Sequence, residues 1–533
     1  MQRTWREELQ LGLRFLWDLR EFARLPLSFE QARRTVRRAI ERREANFLAL
    51  LERSVYGNPD SPYRRLLAWA GVEFPELATL VRRDGIDAAL TALHAAGVYV
   101  KLEEFKGRQD LCRPGLEISA AELRFDNPFI RRHLRLQTGG SGGKPSRLVV
   151  DLGLLELDAA AVASFLEEWQ VEAAPAVLWR ALPPGAAGIK RYLILLKLGR
   201  PPAAWLAPEL PGSRWERLRV RGFTQAAVAV AALSSRRRLP LPRLTPLDRA
   251  GDVAALLHGL RERYGSFHFD TNVSSALRVV RVAAAQGSDL AGGFFRVGGE
   301  PLTPARARVF REAGVRVTCN YSMAEVGAVG QGCRHGEAPD EVHIRRDKVA
   351  VLAFPAPTRH GIVQNAFHLT TLHPLVPKIM LNVCVGDTGV LLTRNCGCPL
   401  DELGLHQRAA EILSFDKLSA EGMHFLGGDL VRLLEEVLPS SFGGGPEDYQ
   451  LVEVDTGVGV RVELRIRPGI GPIDREACRR TVYEFLERSA PENRLMVERW
   501  RRAGTLQVVE APPVTTAAGK VFALRRVQQQ KPG

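Results

Sequence analysis

Four glycines, three hydroxyl side chains and a lysine share the nine residues TGGSGGKPS, Thr138 to Ser146. Gly139, Gly140, Gly142 and Gly143 let backbone N–H groups turn toward an anion, while Thr138 and Ser141 add hydroxyl donors and Lys144 adds charge. That chemistry suits the β- and γ-phosphates of a nucleotide. A Walker loop is excluded: it needs a hydroxyl after its lysine to bind Mg²⁺, and Pro145 follows Lys144 with Thr138 in place of the first glycine. A dinucleotide loop fits badly, because no acidic residue stands about twenty positions on at a strand end.

The elements around the loop set its context. At 533 residues the chain is too long for one core, and 45% hydrophobic with 25% charged residues is an ordinary globular composition. Residues 1–130 read as mainly helical. Residues 131–416 alternate short apolar runs with helical patterns, as an α/β core does. Residues 417–533 read as a smaller α+β domain with helices in GGDLVRLLEEVLP and DREACRRTVYEFLERS, strands in YQLVEVD and GVRVELRIRP, and a last strand at TLQVVEAP. The boundary is expected near 415–420.

No stretch reaches 18 uninterrupted apolar residues, so no membrane span is expected. The N-terminus alternates charges with Leu, Phe and Trp, which predicts an amphipathic helix packed on the rest of the protein. The net charge of +14 raises nucleic-acid binding, but the basic runs at 33–43, 131–135 and 234–243 lack interleaved aromatics, and the first has the spacing of a solvated helix face. Seven cysteines without a secreted pattern or a signal peptide point to a reducing cytoplasm.

TGGSGGKPS, VGGEPLTPARARVFREAGVRVTCNYSMAEVG, VPKIMLNVCVGDTGVL and VTTAAGKVFALRR follow one another in the chain, and in that order they resemble the motifs of the adenylate-forming enzymes, the superfamily of acyl-CoA synthetases, peptide-synthetase adenylation domains and luciferases. Thr138, Gly140, Ser141, Gly143 and Pro145 match the family's phosphate loop, with Lys144 supplying charge. VGGEPLTPARARVFREAGVRVTCNYSMAEVG (297–327) resembles its adenine-binding turn and its Tyr-Gly-x-Thr-Glu motif. The resemblance implies that Gly298, Gly299 and Glu300 line the adenine, Tyr321 packs on the base and Glu325 helps hold Mg²⁺. Ser322 and Ala324 depart from the pattern, and Ala324 removes a hydroxyl contact to the α-phosphate. VPKIMLNVCVGDTGVL (376–391) resembles the family's Thr-Gly-Asp segment, which implies that Asp387 accepts both ribose hydroxyls. VTTAAGKVFALRR (514–526) resembles the family's C-terminal Gly-Lys motif, which implies that Lys520 reaches into the site during adenylation. The hinge motif survives in part: Asp416 and Gly422 are present, with Leu413 where an arginine is usual.

Within that superfamily the chain is similar to the phenylacetate–CoA ligase branch and to the acyl-protein synthetases of bacterial luciferase systems. The helical N-terminal region with GVYVKLEEFKGR (97–108), GGEPLTP and NCGCPL (395–400) carry this likeness. It implies that Cys396 and Cys398 join Cys333 and His343, with His335 competing for the histidine role, in a structural Zn²⁺ shell. The implied activity is ATP-dependent activation of a carboxylic acid through acyl-AMP with release of pyrophosphate, then transfer to a thiol, most simply CoA. Swinging of the small domain about Asp416 would separate the two halves. The alternatives are a carrier protein's pantetheine thiol or a partner protein as acceptor, and a catalytically degenerate binding homologue. The acid pocket is expected near FHFDTNVSSALRV (267–279), with Arg278 and Arg281 more simply on a helix surface. The identity of the acid and the oligomeric state are not legible.

Overall fold

Helical spacing is realised through most of the first 105 residues of the computed structural model, which describes residues 5–130, 134–137, 147–183, 185–208, 213–357, 363–414, 428–455, 460–489, 493–516 and 518–528. Helix Phe29–Glu41 starts on a Ser28–Gln31 capping box and buries Ala32, Val36 and Ala39 while its arginines face water. The first basic run is therefore a solvated face. The N-terminal helix Trp5–Arg24 packs Phe15 against Phe223 of helix Arg214–Ser235, with Leu19 and Phe22 also buried. Its apolar face meets the protein, as expected. No described helix is long and apolar enough to cross a membrane.

Two small hairpins come first, β1 (Leu111–Arg113) with β2 (Leu116–Ile118) and β3 (Leu134–Gln137) with β4 (Arg147–Val150). The strands β5 (Ala176–Trp179), β6 (Ala204–Ala207), β7 (Arg243–Leu244), β8 (His268–Asn272), β9 (Phe294–Gly298) and β10 (Arg316–Met323) then form the parallel half of a large sheet. Its antiparallel half holds β11 (Gly327–Gln331), β12 (Val342–Ile344), β13 (Val349–Pro357), β14 (Val363–Thr371), β15 (Val383–Thr393) and β16 (Gln407–Ser414). The order is β13-β14-β15-β16-β12-β11-β10-β9-β8-β5-β6-β7 among the described residues. One apolar core covers the face of helices Ala250–Tyr264 and Val273–Gln286, and a second covers the face of helices Leu152–Glu168 and Ala186–Lys197.

The small domain has its own core around Leu451, Leu464, Val482 and Leu486. Its sheet runs β19 (Leu506–Glu510), β18 (Val460–Ile466), β17 (Tyr449–Asp455), β20 (Leu524–Gln528). The mixed α/β class is as expected, with one correction: TLQVVEAP is not the last strand. β20 follows the Gly-Lys turn and pairs parallel to β17. Its adjacent Arg525 and Arg526 hide the strand pattern, and Arg526 pairs with Glu453 of β17 at 2.9 Å. The expected boundary at 415–420 lies outside the described residues.

Candidate functional site

The parallel strands end in the segments that carry the motifs. β9 delivers Gly298, whose Cβ, were there one, would sit 2.8 Å from the Asn320 carbonyl on β10. Gly299 follows with φ +80°, a left-handed conformation that favours glycine. A Cβ there would lie 2.7 Å from Lys520 Nζ and 3.6 Å from Asn272 Oδ1. The lysine from the far C-terminal segment is therefore seated directly on the Gly299 turn.

The Lys520 segment is built as a tight turn. Gly519 N–H donates to Thr516 O and Lys520 N–H to Thr516 Oγ1, with Gly519 at φ +83°. Asn272 Nδ2 donates to Ala518 O at 2.6 Å, and Val521 N–H donates to Ser274 Oγ and Glu300 Oε1. Glu300 also accepts from the Ser274 amide and hydroxyl. Its carboxylate is thus the tie between the core and the tail, rather than a group turned toward a base.

On β10, Tyr321 donates its hydroxyl to Asp387 Oδ2 of β15 at 2.8 Å. Burial and then the Asp387 charge hold the Tyr321 hydroxyl well above its ordinary pKa, so it remains a donor. Glu325 sits half-buried in the turn joining β10 to β11 and makes no hydrogen bond or ion pair with the described residues. Beneath that turn Lys348 Nζ donates to Val326 O at 2.9 Å and to Asp158 at 2.6 Å. Arg345, fully buried, chelates Asp347 through Nε and Nη2 at 2.7 and 2.6 Å. Arg345→Met leaves Asp347 buried without its partner, so a loss of about 3 kcal/mol is expected. Thermal and urea unfolding measure it, and an unchanged midpoint would show that the pair contributes nothing.

Thr138, Gly140, Ser141, Gly143, Lys144 and Asp416 lie outside the described residues, as does Gly422. Arg278 and Arg281 are not the simple surface residues expected. Arg281 reaches the small domain, pairing with Asp448 at 2.6 Å and with Glu447. Arg306 pairs with Glu435 at 3.0 Å across the same boundary. Charged side chains that sequence reasoning missed stand on the other face of β8 and β9. Asp270 is met there by Arg180, Arg191 and Arg296 at 2.8, 2.9 and 2.8 Å. A signal was available, because His268, Asp270 and Asn272 alternate through a strand whose position in a parallel sheet calls for continuous apolar residues.

The cysteine set assembles. Cys333, His343, Cys396 and Cys398 bring their four ligand atoms within 4.8 Å of one another. His343 Nε2 lies 3.2 Å from Cys333 Sγ, 3.4 Å from Cys398 Sγ and 3.7 Å from Cys396 Sγ. Bond lengths of about 2.3 Å to sulfur and 2.0 Å to nitrogen give a tetrahedral N···S edge of roughly 3.5 Å. His343 Nδ1 donates to Leu405 O at 2.6 Å, which turns the Nε2 lone pair inward. Asp401 accepts from the Cys396 and Gly397 amides, fixing the Cys-x-Cys turn. Hydrogen bonds from Cys398 and His343 hold the Cys333 thiol below its ordinary pKa despite burial. His335 is exposed and stands 3.8 Å from Glu168, so it is not part of the set. Cys319, Cys384 and Cys478 are buried elsewhere and Cys112 is exposed.

No family model matches the chain, and no curated protein matches it. The solved structures it is similar to are adenylate-forming enzymes. A 2-hydroxyisobutyryl-CoA ligase in complex with 2-HIB-AMP and CoA is 14% identical with a TM-score of 0.42, the match covering 92% of this chain and 89% of that one. Acetoacetyl-CoA synthetase from Streptomyces lividans is 12% identical with a TM-score of 0.40, covering 74% of this chain and 55% of that one. McyG A-PCP complexed with phenylalanyl-adenylate is 11% identical with a TM-score of 0.37, covering 76% and 69%. These likenesses are distant; what the site can do follows from this chain's own residues.

Proposed function

We propose that this chain activates a carboxylic acid with ATP through an acyl-AMP and passes the acyl group to a thiol, with CoA as the acceptor. The seating of Lys520 on Gly299, beside Asn272, is the observation that carries this reading, and the Tyr321–Asp387 hydrogen bond supports it. In the first half, a carboxylate oxygen bonds to the α-phosphorus as the bond to the bridging oxygen breaks and pyrophosphate leaves. Such a displacement needs positioning and charge neutralisation more than acid–base groups. Lys520 supplies a cation, Asp387 keeps Oδ1 for ribose hydroxyls while Tyr321 holds Oδ2, and the loop Thr138–Ser146 supplies donors to the phosphates. Glu325, a carboxylate with no hydrogen bond among the described residues and with Lys190 near its charge, would hold Mg²⁺, whose charge offsets that of the phosphates.

In the second half the thiol sulfur bonds to the acyl carbon, the bond to the AMP oxygen breaks, and the thiol proton passes to solvent. Lys520 must first leave Gly299, and a hinge at Asp416 would let it do so. Cys333, His343, Cys396 and Cys398, whose ligand atoms lie within 4.8 Å of one another, would hold a structural Zn²⁺, since four protein ligands leave no coordination position open. The phenylacetate–CoA ligase-like branch and a cytoplasmic setting are part of the same reading.

Acid-dependent ATP–pyrophosphate exchange over aryl, short-chain and long-chain acids tests the first half. At least one acid is expected to support exchange, and consumption of free CoA then separates a CoA ligase from an enzyme serving a holo-carrier protein. Absence of exchange with every acid would leave a binding protein, the outcome Ala324 would then explain.

A further inference from the structure

The arginine group on β8 and β9 is unusual in its charge. Arg180, on the residue after β5, donates Nε to Asp270 Oδ1 at 2.8 Å and Nη1 to Asn272 Oδ1 at 2.7 Å. Arg296 of β9 donates Nη1 to Asp270 Oδ2 at 2.8 Å, and its Nη2 reaches Asn320. Arg191, from helix Ala186–Lys197, brings Nε to 2.9 Å from the same Oδ2. Three guanidinium groups therefore share one carboxylate. His268 adds no charge, because burial and then Arg191 push its pKa down to about 3.

A buried ion-pair network normally balances its charges, since each uncompensated buried ion costs several kcal/mol. This one carries two cations in excess. It also has spare donors: Arg191, 4% exposed, has Nη1 without an acceptor among the described residues, and Arg296 Nε is likewise unmet. Arg191 Nη2 finds only His268 Nε2, at 3.5 Å. Donors left unmet in a buried, doubly positive place describe half of an anion site.

Its position says which anion. Asn272 joins the two regions, accepting from Arg180 on one side and donating to Ala518 beside Lys520 on the other. From Asn272 the polar stripe runs down β8 to Asp270, about 7 Å for two strand residues. We propose that the acid substrate is a dicarboxylate: one carboxylate reacts beside Lys520, and the distal one docks on Arg191 and Arg296. This rests on the adenylation reading above and names its substrate class. Adipate, whose carboxyl carbons can stand about as far apart as that roughly 7 Å strand step, is the probe.

The test compares adipate with monomethyl adipate and hexanoate, both as direct binders by calorimetry and as substrates in pyrophosphate exchange. Adipate is expected to bind at least tenfold tighter than either monoacid, and Arg191→Met is expected to erase that preference without lowering the thermal midpoint, since it removes an excess buried charge. Arg296→Met serves as the second variant if Arg191→Met does not fold. Equal or tighter binding of the half-ester, or a preference that survives both substitutions, overturns the dicarboxylate. Exchange with hexanoate but no preference for adipate keeps the adenylation reading and removes this one. Preferential binding of adipate without exchange by any acid supports the anion site and removes adenylation.

Discussion

Lys520→Ala is expected to lower acid-dependent ATP–pyrophosphate exchange by about 100- to 1,000-fold, the range seen when one preorganised charge-stabilising donor is removed. The geometry explains why the effect should fall on chemistry. Lys520 is held at Gly299 by a turn whose own hydrogen bonds, through Thr516, Val521 and Ala518, do not involve its ammonium group. Truncating the side chain leaves that turn in place, so nucleotide affinity should change little while the maximal rate falls. Gly299→Ala reaches the same point from the other side. Its methyl would need the space 2.7 Å from Nζ and 3.0 Å from Cε, on a backbone at φ +80°. Both variants should still form thioester from presynthesised acyl-AMP, because that half no longer needs the lysine. Exchange that survives Lys520→Ala undiminished would remove Lys520 from the adenylation step.

The parts of the site that could be read in advance are those where a short segment carries its own reason. Gly298 and Gly299 stand where a strand passes into a turn that admits no side chain, and Lys520 follows a glycine with positive φ. These signals are local. The role of Glu300 was not legible, because its partners Ser274 and Val521 come from distant segments that only the docked tail brings together. The choice between His335 and His343 was open for the same reason. It is decided by the pairing of β12 with β16, which sets His343 opposite Arg408 and turns its ring toward Leu405 and the cysteines. Arg191 lies in an apolar helix, IKRYLILLK, and nothing near it in sequence announces a meeting with Asp270. The β-alternation of FHFDTN did announce something, since polar residues at every second place of a doubly covered strand need partners.

Purified protein is expected to carry one zinc ion per chain, and its removal is expected to lower the thermal midpoint by roughly 5–10 °C. The four donors come from three separate segments. Cys333 follows β11, His343 belongs to β12, and Cys396 and Cys398 sit between β15 and β16. Only a small apolar group, Leu400 and Leu405 with Ile40 beside them, packs around these cysteines. Such a patch supplies little cohesion of its own, so an ion bridging the segments would carry much of it. Without the ion, the His343 imidazole faces three thiols at 3.2 to 3.7 Å with no cation to hold them together. Cys398→Ser should therefore release the metal and reproduce the destabilisation, whereas His335→Ala should do neither. Cobalt in place of zinc should give the thiolate-to-metal charge-transfer absorption of a three-sulfur site. Metal-free protein whose stability is indifferent to Cys398→Ser would show instead that these are four reduced bystander side chains brought together by packing alone.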